Sequence, residues 1–144
     1  MTSKAELDKD CVFCRIIRGE IPSFKVYEDA ETLAFMDINP IARGHALVVP
    51  KHHSKDITDT PDQWVAAAFK GAARIARAIE KTLDPDGINI VQANGPGAKQ
   101  SVLHLHVHVV PRAVNDGLTM NWDLVPGDND EIAKLAKRIV ANIK

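Results

Sequence analysis

"SVLHLHVHVVPR", residues Ser101 to Arg112, carries histidine at three alternate positions: His104, His106 and His108. Leu105, Val107 and Val109 fill the places between and after them. Successive side chains on a β-strand point to opposite faces, so this spacing predicts a strand with three imidazoles on one face, about 6.5–7 Å apart. The apolar row then packs beneath helices, and a run this apolar predicts a central strand. The chain has 6 histidines. The other three, His45, His52 and His53, fall within "RGHALVVPKHH" (43–53), so one residue type is confined to two short stretches.

Working outward from this strand, "INIVQA" (88–93) reads as its partner across the Gly/Pro-rich "NGPGAKQ" (94–100). "HALVVP" (45–50) reads as a strand ended by Pro50, and "FKVYED" (24–29) with "TLAFMDI" (32–38) as a hairpin turning at Asp29 to Glu31. "CVFCRIIRGEIP" (11–22) has a short helical pattern with Val12, Phe13, Ile16 and Ile17 toward a core, stopped by Gly19 and Pro22. A long helix is predicted from about Pro61 to Leu83, with Thr60 as its cap, Pro61 in its first position and Asp62 at the positive end of its dipole. Val65, Phe69, Ala72, Ala76, Ile79 and Leu83 form its apolar stripe, and Lys70, Arg74, Arg77 and Lys81 read as a solvated basic face. A final helix, Asp130 to Ile143, places Ile132, Leu135, Ala136, Ile139 and Ile143 on one side. The expected fold is α+β: a five-stranded, mainly antiparallel sheet in mostly consecutive order, with one long helix and shorter ones. Residues 1–10 read as a flexible N-terminal segment and 11–144 as a single domain.

Composition narrows the functional classes. At 144 residues with 45% hydrophobic and 26% charged residues, the chain is an ordinary globular domain. A formal net charge of −1 gives no electrostatic case for nucleic acid or a membrane surface as partner. With no apolar run long enough to span a bilayer and no signal segment, the expected location is the cytoplasm. The 2 cysteines, Cys11 and Cys14, suit a metal half-site or redox pair.

Three histidines on one strand face support two chemistries. Alternate histidines can chelate zinc and leave a position for activated water. Alternatively, one neutral imidazole, its second nitrogen fixed by a hydrogen bond, can attack phosphorus. The loop before the strand offers Asn94, Gln100, Ser101 and the amides around Gly95 and Gly97 as neutral donors to phosphate oxygens. It is not a P-loop, because Lys99 lacks the preceding glycine and the following Ser or Thr.

With "HLHVHVV" in place, the sequence resembles the histidine triad (HIT) family of nucleotide hydrolases and transferases, whose motif is His-x-His-x-His followed by two apolar residues. The resemblance extends through "CVFCRIIRGEIP" and "YEDAETLAFMDINPIARGHALVVPKHH" to "VPR". "NDGLTMNW" looks like the bacterial, Hint-like members. It implies that His106 attacks the α-phosphate and carries a nucleotidyl group, with His108 touching that phosphate and His45 in support. It implies Asp37 on the ribose hydroxyls, Ile38 beside a purine base, and Asn94, Gln100 and Ser101 on the phosphates or leaving group. The substrate is then a purine nucleoside phosphoramidate or a dinucleoside polyphosphate. Cys11, Cys14, His53 and His104 resemble the structural zinc site of some members, leaving His52 to solvent; no catalytic cofactor is expected. Members are usually homodimers joined through the long helix and residues 88–93. Lys99 stands where members commonly have glycine, which bears on the leaving group. Two other readings stay open: a zinc hydrolase using the histidine row as ligands, and a non-catalytic nucleotide-binding protein.

Overall fold

Five short β-type runs and one amphipathic helix of six turns can bury their apolar sides only by stacking the helix on a sheet. The computed structural model describes residues 4–119 and 124–144; the end of "NDGLTMNW" and the first three residues of segment 1–10 fall outside them. The element order is α1 (Val12–Ile17), β1 (Lys25–Glu28), β2 (Thr32–Met36), β3 (Ala46–Pro50), α2 (Asp62–Leu83), β4 (Gly87–Val91), β5 (Val107–Arg112) and α3 (Asn129–Ala141). The strands form one sheet in the order β1-β2-β3-β5-β4, and every pair is antiparallel. This is the expected α+β class with one departure from consecutive order. β5, whose Val107, Val109 and Val110 are fully buried, takes the place beside β3 and leaves β4 at the edge, so these three valines lie in a strand with neighbours on both sides.

Alternation sorts the two faces. Ala46, Val48, Leu105, Val107 and Val109 lie on the α2 side with Ala68, Ala72, Ile75 and Ile79. Leu33, Phe35, Leu47 and Val49 lie on the opposite side with Phe13 of α1, and Leu47 pairs with His108 across β3 and β5. Gly71 lets α2 approach: a Cβ there would sit 2.7 Å from Val48 Cγ1 and 2.8 Å from Thr32 Cγ2.

Several local expectations change. β5 begins at Val107 rather than ahead of His104, so His104 and His106 precede the strand. The Leu105 amide bonds the Ser54 carbonyl at 2.9 Å instead of a neighbouring strand, yet the alternation of faces persists. Thr60 does not cap α2; its hydroxyl donates to the Asp56 carbonyl at 2.6 Å, and Pro61 stands at the N-cap without a side-chain bond. The buried face of α2 runs through Trp64, Ala67, Ala68, Gly71, Ala72, Ile75 and Ile79, leaving Phe69 exposed. His52 is buried rather than solvent-facing: it stacks on Trp64 with centroids 5.2 Å apart and planes within 6°. α3 is capped by Asp128 and buries none of its residues within one chain. Residues 4–10 hold no helix or strand, but the Glu6 amide donates to His52 Nδ1 at 3.0 Å and Arg18 donates to the Asp8 carbonyl at 3.0 Å.

Candidate active site

On the sheet face opposite α2, a cavity of about 500 Å³ lies between α1, the loop after β2 and the approach to β5. His45, His106 and His108 line it together with Asp37, Ile38 and Ser101. Apolar residues from α1 and the strands, among them Val12, Phe13, Ile16, Phe35 and Leu47, form the rest of its wall. A mixed lining of this kind, a few convergent polar groups on an apolar bed, suits a small organic ligand with one charged end.

Hydrogen bonds fix the protonation pattern of the rings. His106 Nδ1 lies 2.7 Å from the His104 carbonyl oxygen. A carbonyl only accepts, so Nδ1 carries the proton and Nε2 holds a free lone pair. The Ile41 amide donates to His45 Nδ1 at 3.2 Å, so the His45 proton sits on Nε2. That nitrogen is 2.9 Å from His108 Nδ1 and 3.5 Å from Asp37 Oδ2, and it donates chiefly to His108. His108 therefore accepts at Nδ1 and carries its proton on Nε2. The result is an acceptor, Nε2 of His106, and a donor, Nε2–H of His108, on rings whose centroids are 4.9 Å apart.

Burial enforces neutrality. It pushes His108 down to about 4, helped by the neighbouring His106 and His45 rings. It lowers His106 and His45 as well, against an upward pull from Asp37. The rings are therefore neutral at neutral pH, as both the lone pair and the relay require. Gly44 precedes His45 at φ +92°, and a Cβ there would lie 2.5 Å from Leu83 Cδ1, so the chain turns tightly against α2 just where it delivers His45.

His104 belongs elsewhere. Its Nδ1 lies 3.4 Å from Cys11 Sγ and 3.5 Å from Cys14 Sγ, while Cys14 Sγ is 3.6 Å from His53 Nδ1. Zinc–sulfur and zinc–nitrogen bonds at a tetrahedral angle separate sulfur from nitrogen by about 3.5–3.6 Å, so these four residues fit that ion. Their outer contacts agree: His104 Nε2–H donates to the Pro50 carbonyl at 3.0 Å, His53 Nε2 lies 4.0 Å from Asp8, and the Asp8 amide donates to Cys14 Sγ at 3.4 Å. Burial pushes the Cys14 thiol up to about 12; a cation on the sulfur would reverse that. Asp37, His45 and His108 also bring ligand-type atoms together. However, the Ile41 amide occupies one nitrogen of His45 and the proton occupies the other, so this group offers a metal less than its spacing suggests.

Two of the expected phosphate-binding residues lie outside the cavity lining. The Gln100 amide is spent on the loop, accepting from the Gly95 amide and donating to the Lys55 and Val102 carbonyls. Asn94 accepts from the Ile57 amide at 2.8 Å and exchanges bonds with Gln92. Lys99 adopts the left-handed conformation, φ 59°, that glycine would take without strain. Conversely, sequence patterning assigned Phe13 and Ile16 to the core and gave no sign that they wall a ligand cavity; the Ile41 amide, being backbone, left no signal at all.

A family model described as the HIT domain matches residues 18–115. The adenosine 5'-monophosphoramidase HNT1 of Saccharomyces cerevisiae is 41% identical over 145 residues, covering 100% of this chain and 89% of that protein. A crystal structure of a HIT family member from Bacillus subtilis superposes with a TM-score of 0.87 at 37% identity, covering 94% of this chain and 99% of that one. A zinc-bound histidine triad family protein from Mycobacterium smegmatis matches with a TM-score of 0.73 at 42% identity, over 92% and 98% of the two chains.

Proposed function

Since the chain belongs to the HIT domain family, we propose that it hydrolyses a purine nucleotide at its α-phosphate, with His106 as nucleophile. The observation that carries this is the pair of oppositely poised nitrogens, the His106 Nε2 lone pair beside the His108 Nε2–H. His106 Nε2 forms a bond to phosphorus as the bond to the leaving amine or phosphate oxygen breaks, and the His104 carbonyl stabilises the developing imidazolium through Nδ1–H. His108 Nε2–H meets the phosphate or leaving group, and His45 keeps that proton in place. Water then breaks the phosphorus–nitrogen bond and releases the nucleoside monophosphate. Asp37 holds the ribose hydroxyls, Ile38 and the apolar wall take the base, and Ser101 meets the phosphate. Asn94 and Gln100 act by shaping the loop that presents Ser101.

The Saccharomyces relative's name favours an adenosine phosphoramidate over a dinucleoside polyphosphate as the substrate. Cys11, Cys14, His53 and His104 hold a structural zinc, whose positive charge would keep both sulfurs as thiolates and join the N-terminal turn to the sheet. A homodimer built through α2 and the edge strand β4 accounts for the exposed Ile90. Among the described residues no helix is long and apolar enough to cross a membrane, and two cysteines without a disulfide suit the cytoplasm.

Turnover of adenosine 5'-phosphoramidate against a dinucleoside polyphosphate tests the substrate. Labelled substrate, denatured in alkali so that a phosphorus–nitrogen bond survives, tests the intermediate. Absence of turnover on both substrates would overturn the hydrolase reading; label retained on His106→Ala would overturn the nucleophile.

A further inference from the structure

His104 faces two ways. Its ring lies between Cys11 and Cys14 on one side and the Pro50 carbonyl on the other. Its own carbonyl oxygen receives the His106 Nδ1 proton at 2.7 Å. The group that decides which nitrogen of His106 is free thus belongs to a residue whose ring is part of the sulfur–nitrogen cluster. Because His104 and His106 precede β5, no strand ladder holds this carbonyl in place. Its fixed points are the Leu105 amide bond to Ser54 and the contacts of the His104 ring.

A second route runs through α1. Phe13 sits between the two cysteines in sequence, on a helix whose N-cap is Cys11. Its ring packs edge-on against both His104, at 5.9 Å between centroids, and His106, at 5.1 Å. Any rotation of α1 about its cysteine anchors moves Phe13 against the His106 ring. Two connections from one cluster to one ring, through backbone and through an aromatic wedge, are more than stapling the N-terminal turn requires.

We propose that the Cys11–Cys14–His53–His104 cluster is a positioning device for His106: with its ion bound it holds the His104 carbonyl and Phe13 so that His106 keeps a single tautomer with Nε2 facing the substrate. This rests on His106 being the nucleophile for its kinetic consequence, but not for its structural one. His104 and Phe13 are positioning residues here and take no part in the bond changes.

The test compares protein carrying one zinc per chain with the same preparation stripped by a chelator, its fold checked by amide spectra, and with zinc-loaded Phe13→Leu, which keeps the metal ligands and an apolar side chain. Long-range ¹H–¹⁵N correlations of the His106 ring, taken without substrate, read its tautomer; kcat and KM for adenosine 5'-phosphoramidate read the consequence. Zinc-bound wild type should show His106 protonated at Nδ1 alone. Stripping should mix the tautomers and lower kcat about 10- to 100-fold, the range seen when groups supporting a site are lost, with KM within about threefold. Phe13→Leu should retain its zinc and show a smaller shift in the same direction. A stripped protein that stays folded with the His106 tautomer unchanged overturns the proposal, whatever its kcat. If stripping unfolds the chain, Phe13→Leu decides through the tautomer alone, because Phe13 also walls the cavity and its kcat reports substrate contact too: an unchanged tautomer overturns the proposal. Zinc-loaded wild type with no turnover overturns the function proposed above, while the tautomer comparison still decides the positioning.

Discussion

Lowering the pH is the perturbation that asks most of the neutral triad. His108 titrates at about 4 because it is buried beside two other imidazoles, against about 6.5 for an unperturbed ring. The active form is the neutral one, since a proton on His108 Nδ1 destroys the acceptor that His45 Nε2–H needs and repels it. At pH 5 a ring titrating at 4 is still about 90% neutral, while one titrating at 6.5 is only about 3% neutral. The two cases differ about thirtyfold in active enzyme. His106 and His45 are lowered by the same burial, so none of the three rings should add an acid limb at the ordinary value. The assay is kcat/KM for adenosine 5'-phosphoramidate from pH 4.5 to 8, with His106→Ala as the blank for spontaneous hydrolysis. Metal content is followed in parallel, so that proton competition at Cys11 and Cys14 is scored separately. The His108 contribution to the acid limb should lie near 4, and no limb from the three rings should sit at the ordinary value. Stability should follow the same sign. The unfolded chain takes up the His108 proton first as pH falls, so the stabilisation is complete above about 6.5 and is lost progressively toward 4. An acid limb centred near 6.5 in protein that has kept its metal would refute the neutral relay.

His106→Ala should lower nucleotide release by about three orders of magnitude or more and carry no covalent label, while nucleotide binding, read by calorimetry, persists. Gly71→Ala pits about 1 kcal/mol of helix propensity against a Cβ 2.7 Å from Val48 and 2.8 Å from Thr32. Thr32 also donates to the Ala67 carbonyl at 3.3 Å, so overpacking should win by about 1–2 kcal/mol and lower Tm by several degrees; a raised Tm would show that α2 can lift off the sheet. Metal analysis of protein purified without chelator should find one zinc per chain, and His53→Ala should reduce that occupancy, whereas a zinc-free chain with intact thermal stability would remove the cluster from the account. Light scattering at micromolar concentration should report twice the chain mass, and a monomer there would overturn the pairing through α2 and β4.

Much of the architecture was legible before any coordinates because period is a one-dimensional property. The alternation from Leu105 to Val109 separates the α2 face from the cavity face without any knowledge of partners. The stepping of apolar residues along 62–83 gives the helix, although its buried face turned from Phe69 toward Trp64 and Gly71, since shape against β2 and β3 decides that angle. Thr60 shows the limit of local signals: a good capping residue was drawn off by a carbonyl four residues back, at Asp56. Asn94 and Gln100 show it again, because a free carboxamide and one already bonded to neighbouring segments look identical in a sequence.

The sequence by itself singled out the candidate residues, namely three alternate imidazoles, a CxxC pair and two further histidines, and the family to which that pattern belongs. Tertiary structure alone decided how each one is held and which of its nitrogens is free. Three histidines that are equivalent along the chain become a metal-type ligand, a lone-pair donor and a proton donor. Each ring's state is set by the contacts the fold gives it: the two cysteine sulfurs and the Pro50 carbonyl for His104, the carbonyl of His104 two residues back for His106, and His45 with the Ile41 amide for His108. An imidazole has two nitrogens and, when neutral, one proton, so its role is fixed by whichever neighbour claims a nitrogen first, and that neighbour is a property of the fold.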